Sequence, residues 1–421
     1  MSWAFSEFMP RYLLFQYKLR LFLHSLLKMS TQTKPSILFL HSSSDYYGAS
    51  KVLLQTIIAC KSSGYKCIVV LSEPGIFSEK LIENGIDVHF FKLAILRRKY
   101  YNLLGILNRA YYLVKAIGQL RSLIKTYHID IVYSNTTAVL VGALASKICK
   151  VKHVWHIHEI IAGPRILLWV LSWLMEFATH KNITVSSATF HHWNSINPSL
   201  TKKHKLICLF NGIDLLPYQS IQEKNHAFNK FTIGMIGRVN SWKGQSYFIE
   251  IVSELEKLIQ KEKNNQIEVS YLMAGDPYPG YEYLLKEIDK QKKMLGVDHK
   301  IIDLGYIKNN VQFFEQIDLL IVPSILPDPL PTVVLEAMAS GLPVAGTKLG
   351  GMLDMVVPNE TGILIPWDDA QKAAVQIWNL CHQKESLQLM SLQGRKRVQS
   401  LFSIERFEYE ILQTLENINA S

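Results

Sequence analysis

Short apolar runs alternate with helix-like segments along the first half of the chain. The run at 36–41 is followed by a polar loop, a helical pattern through Cys60, a turn at Gly64 and a second apolar run at 66–72. Further strand-like runs follow, each bounded by a helical pattern or a polar turn, at 129–135, 153–158 and 182–187. Strands that alternate with helices in this way predict a parallel, doubly wound α/β sheet.

A second series of the same kind begins at Phe231. Its strand-like runs lie at 231–237, 268–275, 300–306 and 318–324. Helical patterns separate them, such as the one at 245–260. The polar segment 211–230 between the two series is rich in turn-forming residues, so we predict an interdomain linker there. The pattern therefore predicts two Rossmann-like domains, at 35–210 and 231–401, and a C-terminal amphipathic helix at 402–419.

Composition agrees with a globular protein of two domains. The chain has 421 residues, of which 48% are hydrophobic, and this length exceeds what one ordinary core accommodates. The five cysteines, which are scattered without Cys-x-x-Cys spacing, favour a reducing compartment and argue against a structural zinc site.

Basic charge is concentrated in the N-terminal half. Residues 1–214 contain 25 lysines and arginines against 10 acidic residues, whereas the remainder contains 20 against 25. No nucleic-acid motif accompanies this charge, so we expect no nucleic-acid partner. The basic residues lie among large apolar ones at 9–28 and 96–125, a mixture that favours a membrane surface. For the extension 1–34, an N-terminal helix packed on the domain is the alternative, and for the apolar segment 166–177 a buried helix explains the pattern equally well.

Two carboxylates eight positions apart stand out in the segment 328–346. Pro331 can begin a helix, Gly341 can end it, and Pro343 follows. Asp328 then lies in the loop before the helix and Glu336 inside it. Because burying a carboxylate in an apolar helix is costly without a hydrogen-bond partner, we predict a polar partner for Glu336. A helix whose single charge faces solvent is the alternative.

Two cations lie at a second strand-loop-helix junction. Arg238 and Lys243 follow the strand at 231–237 and precede a helix, where side-chain cations and free amides can hold a pyrophosphate. The loop is not a Walker A motif, because Gly-Lys-Ser/Thr is absent. A solvated pair of charges is the alternative for these two residues taken alone.

The segment 328–346 resembles the E-x7-E signature of the retaining family-4 glycosyltransferases, which have the two-domain GT-B fold. The resemblance implies that Glu336 binds the ribose of a nucleotide sugar and that Asp328, where the family usually has Glu, contacts the donor sugar. Many relatives have Gly where this chain has Pro331, which has no N–H, so phosphate contacts would come from Thr332 and Val333 at the positive helix end.

The same resemblance covers most of the chain from Ser36 onward. It implies that Arg238 and Lys243 neutralise the donor diphosphate and assist its departure. Gly48 matches one glycine of the family's glycine-rich loop, near the donor phosphates and the acceptor. His158 matches a histidine near the reaction centre, whereas His156 is expected to be structural; further zinc ligands for this pair are not evident. The C-terminal helix is expected to cross back onto the first domain.

The expected function is therefore a retaining glycosyltransferase that uses a UDP- or GDP-sugar and a lipid-linked or polysaccharide acceptor in cell-surface glycan biosynthesis. We expect no cofactor and no metal, since no strand ends in Asp-x-Asp and the two cations would stabilise the leaving diphosphate. The expected location is cytoplasmic, at the inner face of the cell membrane. The alternatives are a nucleotide-sugar epimerase of the same architecture and a non-catalytic membrane-associated scaffold.

Overall fold

A computed structural model of the protein describes residues 34–95, 102–221, 230–262 and 266–420. The basic segment predicted at 9–28 and the first six residues of the one at 96–125 lie outside these ranges, as do residues 222–229 of the predicted linker. The domain boundaries inferred from the sequence stay predictions.

The first sheet has seven parallel strands in the order β3-β2-β1-β4-β5-β6-β7. In chain order the strands are β1 (Ser36–His41), β2 (Lys66–Leu71), β3 (Asp87–Phe90), β4 (Ile131–Asn135), β5 (Lys152–Ile157), β6 (Lys181–Thr184) and β7 (Leu206–Cys208). Strand β1 pairs with β2 and β4, placing Ile37 beside Cys67 and Ile131. We call the part of the molecule built on this sheet the first domain.

Helices cover both faces of this sheet, and side chains alternate between the faces. In chain order the helices are α1 (Gly48–Ser62), α2 (Ile76–Glu83), α3 (Leu103–Thr126), α4 (Val141–Cys149), α5 (Arg165–Ala178), α6 (Ser187–Ile196) and α7 (Ser199–Lys202). Ile37 and Phe39 of β1 pack into one core with α1 and α2. Leu38 and Leu40 pack into another core, which contains α3 and α4. Apolar residues on both faces give the continuous apolar runs seen in the sequence.

The second sheet has six parallel strands in the order β10-β9-β8-β11-β12-β13. These are β8 (Lys230–Ile236), β9 (Glu268–Ala274), β10 (Ile301–Asp303), β11 (Leu319–Val322), β12 (Val344–Thr347) and β13 (Gly362–Ile365). Its helices are α8 (Gln245–Lys261), α9 (Tyr283–Met294), α10 (Asn310–Phe314), α11 (Thr332–Ala339), α12 (Met352–Met355), α13 (Ala370–Cys381) and α14 (Lys384–Leu401). We call this part the second domain. The predicted pair of parallel, doubly wound α/β sheets is confirmed.

The last helix, α15 (Ile404–Ala420), returns to the first domain. Its apolar face buries Phe407, Ile411, Leu415 and Ile418 in the core that contains β1 and α1. The predicted return of the C-terminal helix is therefore confirmed.

The two domains meet where their first strands end. Tyr47, at the start of α1 after β1, stacks on Arg238, which follows β8. A second contact is the hydrogen bond from the Ser187 backbone N–H to Asp354 Oδ2, at 2.8 Å. In parallel sheets, ligands bind in the crevice at the carboxyl ends of the strands. These contacts lie at that edge of both sheets, which makes the cleft between the domains the place to look for a site.

In the part of the chain that the structure describes, no helix is both long enough and apolar enough to cross a membrane.

Candidate active site

Lys243 and Asp328 form an ion pair at the edge of the second sheet. Strands β8 and β11 are neighbours, so the loops that follow them arrive at the same place. Lys243 Nζ lies 2.5 Å from Asp328 Oδ2, and the two side chains are only 21% and 12% exposed. Asn240 Oδ1 holds the first loop by accepting hydrogen bonds from the backbone N–H groups of Trp242 and Lys243. The cation and the first carboxylate of the motif are thus brought together by the fold.

The backbone of Asp328 is held by two glycines of the loop after β12. The N–H of Gly351 donates to the carbonyl of Asp328 at 2.7 Å. A Cβ at Gly350, whose φ is +57°, would lie 2.3 Å from that carbonyl oxygen, and one at Gly351 would lie 1.9 Å from the carbonyl oxygen of Pro329. Only glycine permits this close approach. The two glycines therefore fix the position of Asp328.

Arg238 is stacked between two tyrosine rings. Its guanidinium carbon lies 3.4 Å from the ring centroid of Tyr47 and 3.5 Å from that of Tyr278. Tyr47 belongs to the first domain, whereas Tyr278 follows β9 in the second. The two aromatic faces attract the guanidinium and hold it in the region between the two domains.

Glu336 has the polar partners that its burial requires. The residue is 6% exposed, and its Oε2 accepts a hydrogen bond of 2.6 Å from Asn310 Nδ2. The hydroxyl of Tyr218 also bonds to it, and burial together with the Glu336 carboxylate raises the pKa of that hydroxyl. The prediction that a buried Glu336 needs a polar partner agrees with this arrangement. The alternative of a solvent-facing charge does not.

The helix that carries Glu336 begins at Thr332, with Pro331 at the N-cap and not in the first turn. No side chain caps this end, so the N–H groups of Thr332 and Val333 have no side-chain acceptor. Uncapped amides at the positive end of a helix suit an anion.

Two glycines near the stacked arginine face open space. The sequence predicts a loop at Gly48, whereas in the structure Gly48 is the first residue of helix α1. A Cβ at Gly48 or at Gly237 would meet no atom within 4 Å among the described residues. Neither residue has a positive φ, so the local backbone does not require glycine at either position. Space beside Tyr47 and Arg238 is thus left open to a ligand.

His158 lies at the corresponding edge of the first sheet, directly after β5. Its Nε2 is 2.8 Å from Asn135 Oδ1, and its ring centroid is 4.2 Å from that of His156. Burial lowers the pKa of His158 well below its ordinary value, and His156 and His41 lower it further. Among the described contacts, none joins His158 to Lys243 or Asp328. The histidine and the ion pair belong to opposite walls of the cleft.

Two family profiles together match most of the chain. The profile described as Glycosyltransferase Family 4 matches residues 46–215, and that described as Glycosyl transferases group 1 matches residues 219–397. The first match falls on the first domain and the second on the domain that carries Arg238, Lys243, Asp328 and Glu336.

The chain belongs to this family of glycosyltransferases. The family assignment made from the residues is therefore confirmed. The expectation that the chain belongs to a family of enzymes is confirmed with it.

Curated relatives include glycosyltransferases of bacterial surface polysaccharides. The chain is 24% identical over 262 residues to the capsular polysaccharide biosynthesis glycosyltransferase CapM of Staphylococcus aureus. This match covers 60% of the chain and 65% of the relative. It is 25% identical over 222 residues to the lipopolysaccharide core biosynthesis mannosyltransferase LpsB of Rhizobium meliloti, covering 50% and 60%. The chain thus spans less than two thirds of either relative's length.

Solved structures share the fold. HepE of Anabaena, crystallised with UDP and glucose, is 24% identical and superposes with a TM-score of 0.73 over 90% of this chain and 99% of that one. A glycosyltransferase of Rickettsia africae is 18% identical and gives a TM-score of 0.76 over 92% and 99%. The GT-B architecture expected for a glycosyltransferase of this family is confirmed.

Several residues at the cleft carry little or no signal in the sequence. They are Tyr47, Tyr278, Asn135, Asn310, Tyr218 and His41. Each lies in a loop, at a strand end or in a short helical turn where its residue type is common, and each acquires its partner from a distant segment. For Asn135 and His41 a weak signal exists, because both end predicted parallel strands, where polar residues are brought to one edge.

Proposed function

We propose that the protein is a retaining glycosyltransferase that moves a hexose-type sugar from a UDP- or GDP-sugar to a lipid-linked or polysaccharide acceptor in cell-surface glycan biosynthesis. The observation that carries the proposal is the pairing of Lys243 with Asp328 at the mouth of the cleft. The cation can take up a diphosphate, and the carboxylate can accept hydrogen bonds from sugar hydroxyls.

The donor would lie along the second domain. Lys243, Arg238 and the amides of Thr332 and Val333 would hold the diphosphate, and Glu336 would hold the ribose. In the reaction the bond from the anomeric carbon to the diphosphate breaks, and the nucleoside diphosphate leaves with the bonding electrons. An acceptor oxygen forms the new bond to the anomeric carbon on the same face, and its proton passes to the departing diphosphate. Cations fixed beside the leaving diphosphate stabilise its growing charge, the role that a metal serves in other glycosyltransferases, so we propose that catalysis needs no metal.

His158 and Gly48 would serve from the first domain. Closure of the two walls around the donor would bring the His158 imidazole to the sugar and exclude water. Gly48 leaves space in which the donor phosphates can approach the backbone of α1.

Similar proteins support the choice of donor and acceptor classes. HepE of Anabaena has been crystallised with UDP and with UDP-glucose, which favours a uridine nucleotide as the first donor to test. The capsular and lipopolysaccharide relatives favour a glycan or a lipid-linked glycan as the acceptor.

The test has two stages. Thermal shifts of the whole protein with UDP, GDP, UDP-glucose and GDP-mannose identify the base, since a ligand that binds the native state raises its melting temperature. Transfer from the chosen donor to a panel of lipid-linked and free oligosaccharides follows, with and without EDTA, and NMR of the product reports the anomeric configuration. We expect transfer with retention. Inversion, or loss of activity in EDTA that added metal restores, would overturn the corresponding part of the proposal.

The same assay decides between this proposal and its alternatives. An epimerase would convert the nucleotide sugar without any acceptor and without transfer. For a scaffold, Glu336→Ala would behave like the unaltered protein. For the proposed enzyme, we expect this variant to lose donor binding while it remains folded. Full transfer activity of Glu336→Ala would contradict the site.

We further propose that the first domain binds the surface of an anionic membrane. Helix α5 buries one face and exposes a continuous apolar stripe on the other, formed by Ile166, Trp169, Val170, Trp173 and Phe177. The sequence left open whether this segment is a buried helix, and the exposed stripe disfavours that alternative. Trp173 and Phe177 stack on each other at 5.0 Å, so the apolar surface is ordered and broad.

The neighbouring helices extend this apolar surface and add basic residues to it. Helix α4 packs between α3 and α5. Helix α3 exposes Leu104, Leu107, Tyr111 and Val114. Helices α3 and α4 contain no acidic residue, and their basic residues are Arg109, Lys115, Arg121, Lys125 and Lys147. Large apolar groups between basic residues suit the interface of a bilayer with anionic headgroups.

Vesicle flotation tests this surface. The whole protein is mixed with vesicles of pure phosphatidylcholine, or with phosphatidylcholine vesicles that contain about 30% phosphatidylglycerol, an anionic lipid that attracts basic protein surfaces. We expect Trp169→Ser/Trp173→Ser to reduce flotation with the anionic vesicles several-fold. The control Met294→Ser/Ile302→Ser, which removes exposed apolar residues of the second domain, is expected to float like the unaltered protein. Equal flotation of all three proteins would overturn the proposal that this surface binds the membrane.

A further inference from the structure

A line of hydrogen bonds connects the start of α1 to His158 through the buried edge of the first sheet. Ser50 Oγ lies 2.9 Å from His41 Nε2, and His41 Nδ1 lies 3.1 Å from Asn135 Nδ2. Asn135 Oδ1 lies 2.8 Å from His158 Nε2. His41 and Asn135 are 1% and 0% exposed, so water does not compete for these bonds.

We propose that Asn135 is a positioning residue, which fixes His158 in the tautomer that carries its proton on Nε2 and so keeps Nδ1 as a hydrogen-bond acceptor in the cleft. This inference rests on the proposed function, in which His158 contacts the bound sugar. It adds a residue that does not touch the sugar but determines which nitrogen of His158 can accept a hydrogen bond from it.

The orientation of the Asn135 amide follows from a partner that can act in only one way. Asn135 Nδ2 lies 3.2 Å from the backbone carbonyl oxygen of Ala49, which only accepts hydrogen bonds. The atom facing it must therefore be the NH₂ nitrogen, and the opposite atom, which faces His158, must be the amide oxygen. An amide oxygen only accepts, so His158 Nε2 must be the donor.

The remaining bonds agree with this assignment. The second proton of Asn135 Nδ2 points to His41 Nδ1, which then accepts, so His41 donates from Nε2 to Ser50 Oγ. The donors and acceptors of Ser50 Oγ, the two His41 nitrogens and the Asn135 amide are complementary in this arrangement. Reversing the amide would set its oxygen against the carbonyl of Ala49 and would cost about 1 to 3 kcal/mol for the buried groups left unsatisfied.

His158 is neutral in this setting, and its other nitrogen is available. Burial lowers its pKa well below the ordinary value, with smaller contributions from His156 and His41. Among the residues that the structure describes, Nδ1 of His158 has no hydrogen-bond partner. The residue is partly exposed, and in the proposed complex Nδ1 accepts a hydrogen bond from a sugar hydroxyl.

The backbone that carries Asn135 is itself held in a strained conformation. The next residue, Thr136, has a φ of +81°, a rare value for a β-branched residue. Its carbonyl accepts from Trp155 Nε1 at 2.8 Å, and Glu159 Oε2 accepts from the N–H of Thr137 at 3.1 Å and from its hydroxyl at 3.0 Å. Strain that neighbours hold in place is typical of functional sites. The strained residue directly follows the one that bonds His158.

The direct test is the protonation state of the His158 ring. The whole protein is labelled with ¹⁵N-histidine, and the His158 signals are assigned by their loss in His158→Gln. We expect the Nε2–H tautomer in the unaltered protein and a mixture of tautomers in Asn135→Leu. Asn182→Leu is the matched control, because Asn182 is equally buried on β6 and bonds only to backbone carbonyls. It is expected to leave the His158 signals unchanged. Protonation of His158 at Nδ1 in the unaltered protein would overturn the proposal.

Kinetics provide the second readout. We expect Asn135→Leu to lower kcat about tenfold with the KM for the donor nearly unchanged, as for an interaction that acts in the transition state. Asn135→Asp keeps the acceptor but places a carboxylate beside the imidazole, so it should move the acidic limb of the pH profile toward higher pH. If Asn135→Leu fails to fold, the tautomer of His158 in the unaltered protein decides alone, and protonation at Nδ1 contradicts the proposal. Because the NMR experiment needs no substrate, absence of glycosyl transfer would refute the proposed function without affecting the tautomer assignment.

Discussion

Arg238 and Tyr47 join the two domains across the cleft, with the guanidinium carbon 3.4 Å from the ring centroid. Tyr278 covers the other face of the guanidinium at 3.5 Å. The cation expected to meet the donor diphosphate is therefore held in place before any donor arrives. The contact also couples its position to the spacing of the domains, because only one of the two rings belongs to the same domain as Arg238.

Replacing the Tyr47 ring should weaken donor binding. Tyr47→Leu removes one aromatic face and a cation–π contribution of about 0.5 to 1 kcal/mol, so we expect the donor Kd to rise about two- to fivefold. Tyr47→Phe keeps the face and should bind like the unaltered protein. Isothermal titration with the nucleotide measures both. Tyr281→Leu, an exposed tyrosine in the loop that contains Tyr278, is the control. Equal Kd values for Tyr47→Leu and Tyr47→Phe would rule out the stacking role.

Lys243 and Asp328 should prove energetically coupled. Each single variant, Lys243→Met or Asp328→Asn, leaves a partly buried charge without its 2.5 Å partner, whereas the double variant removes both charges. We expect a coupling of about 1 to 2 kcal/mol in the free energy of unfolding, measured by urea denaturation of the four proteins. Strictly additive effects would mean that the pair contributes nothing to the fold. The single variant Lys243→Met should also lower kcat/KM about 100-fold or more, because the leaving diphosphate loses a fixed cation.

The glycines of the cleft should divide into two classes. Gly351→Ala forces a Cβ to within 1.9 Å of a carbonyl oxygen, and we expect it to lower the free energy of unfolding by about 2 kcal/mol or more. Gly237→Ala places its Cβ in open space and should leave stability within about 0.5 kcal/mol. If the donor occupies that space, Gly237→Ala raises the donor Kd. Denaturation and titration of both variants separate the classes, and a destabilised Gly237→Ala would contradict the division.

Stability should fall in mild acid because histidines are buried in the neutral form. Burial lowers the pKa of His41 to about 4 and those of His153 and His156 to about 3. The unfolded chain takes up protons at these positions as pH falls below about 6.5, whereas the folded protein does not. The stabilisation is therefore complete above pH 6.5 and is lost as pH falls toward 4, by about 1.4 kcal/mol per pH unit for each histidine.

His156→Phe is the informative variant for this pH dependence. His156 Nε2 is buried without a hydrogen-bond partner among the described residues, and Nδ1 bonds to Tyr133 Oη at 2.7 Å. A phenyl ring removes the titrating group, and loss of the Tyr133 bond lowers stability at every pH without changing the slope. The slope of the unfolding free energy between pH 6 and pH 4.5 should decrease by about 1.4 kcal/mol per pH unit. Urea denaturation at several pH values measures it. An unchanged slope would mean that His156 titrates in the folded protein.

Much of the architecture could be predicted from local pattern. The apolar runs of the second series fall on β8, β9, β10 and β11. The helix predicted to begin at Pro331 and to end before Gly341 is observed from Thr332 to Ala339, one residue later at its start. The short strands β3, β7 and β13 were not singled out. They have few residues, and β3 is only partly buried, so the apolar signal is weak.

The exposed apolar face of α5 shows where prediction from local pattern stops. The segment around α5 is apolar on every side, so periodicity could not tell a buried helix from one with an exposed apolar face. That distinction depends on which neighbours cover the helix. The fold covers Leu171, Leu174 and Met175 and leaves Trp169 and Trp173 outside.

By itself the sequence determined the two doubly wound domains, the family, and the candidate charged residues Arg238, Lys243, Asp328 and Glu336. Those features depend on the spacing of residues close together in the chain. Only the tertiary structure decided the partners: Tyr47 for Arg238, Asn310 for Glu336, and Asn135 for His158. Each partner is separated from its residue by more than 20 positions, and parallel strand order, which brings such segments to one edge, is set by packing between elements and not by any local pattern.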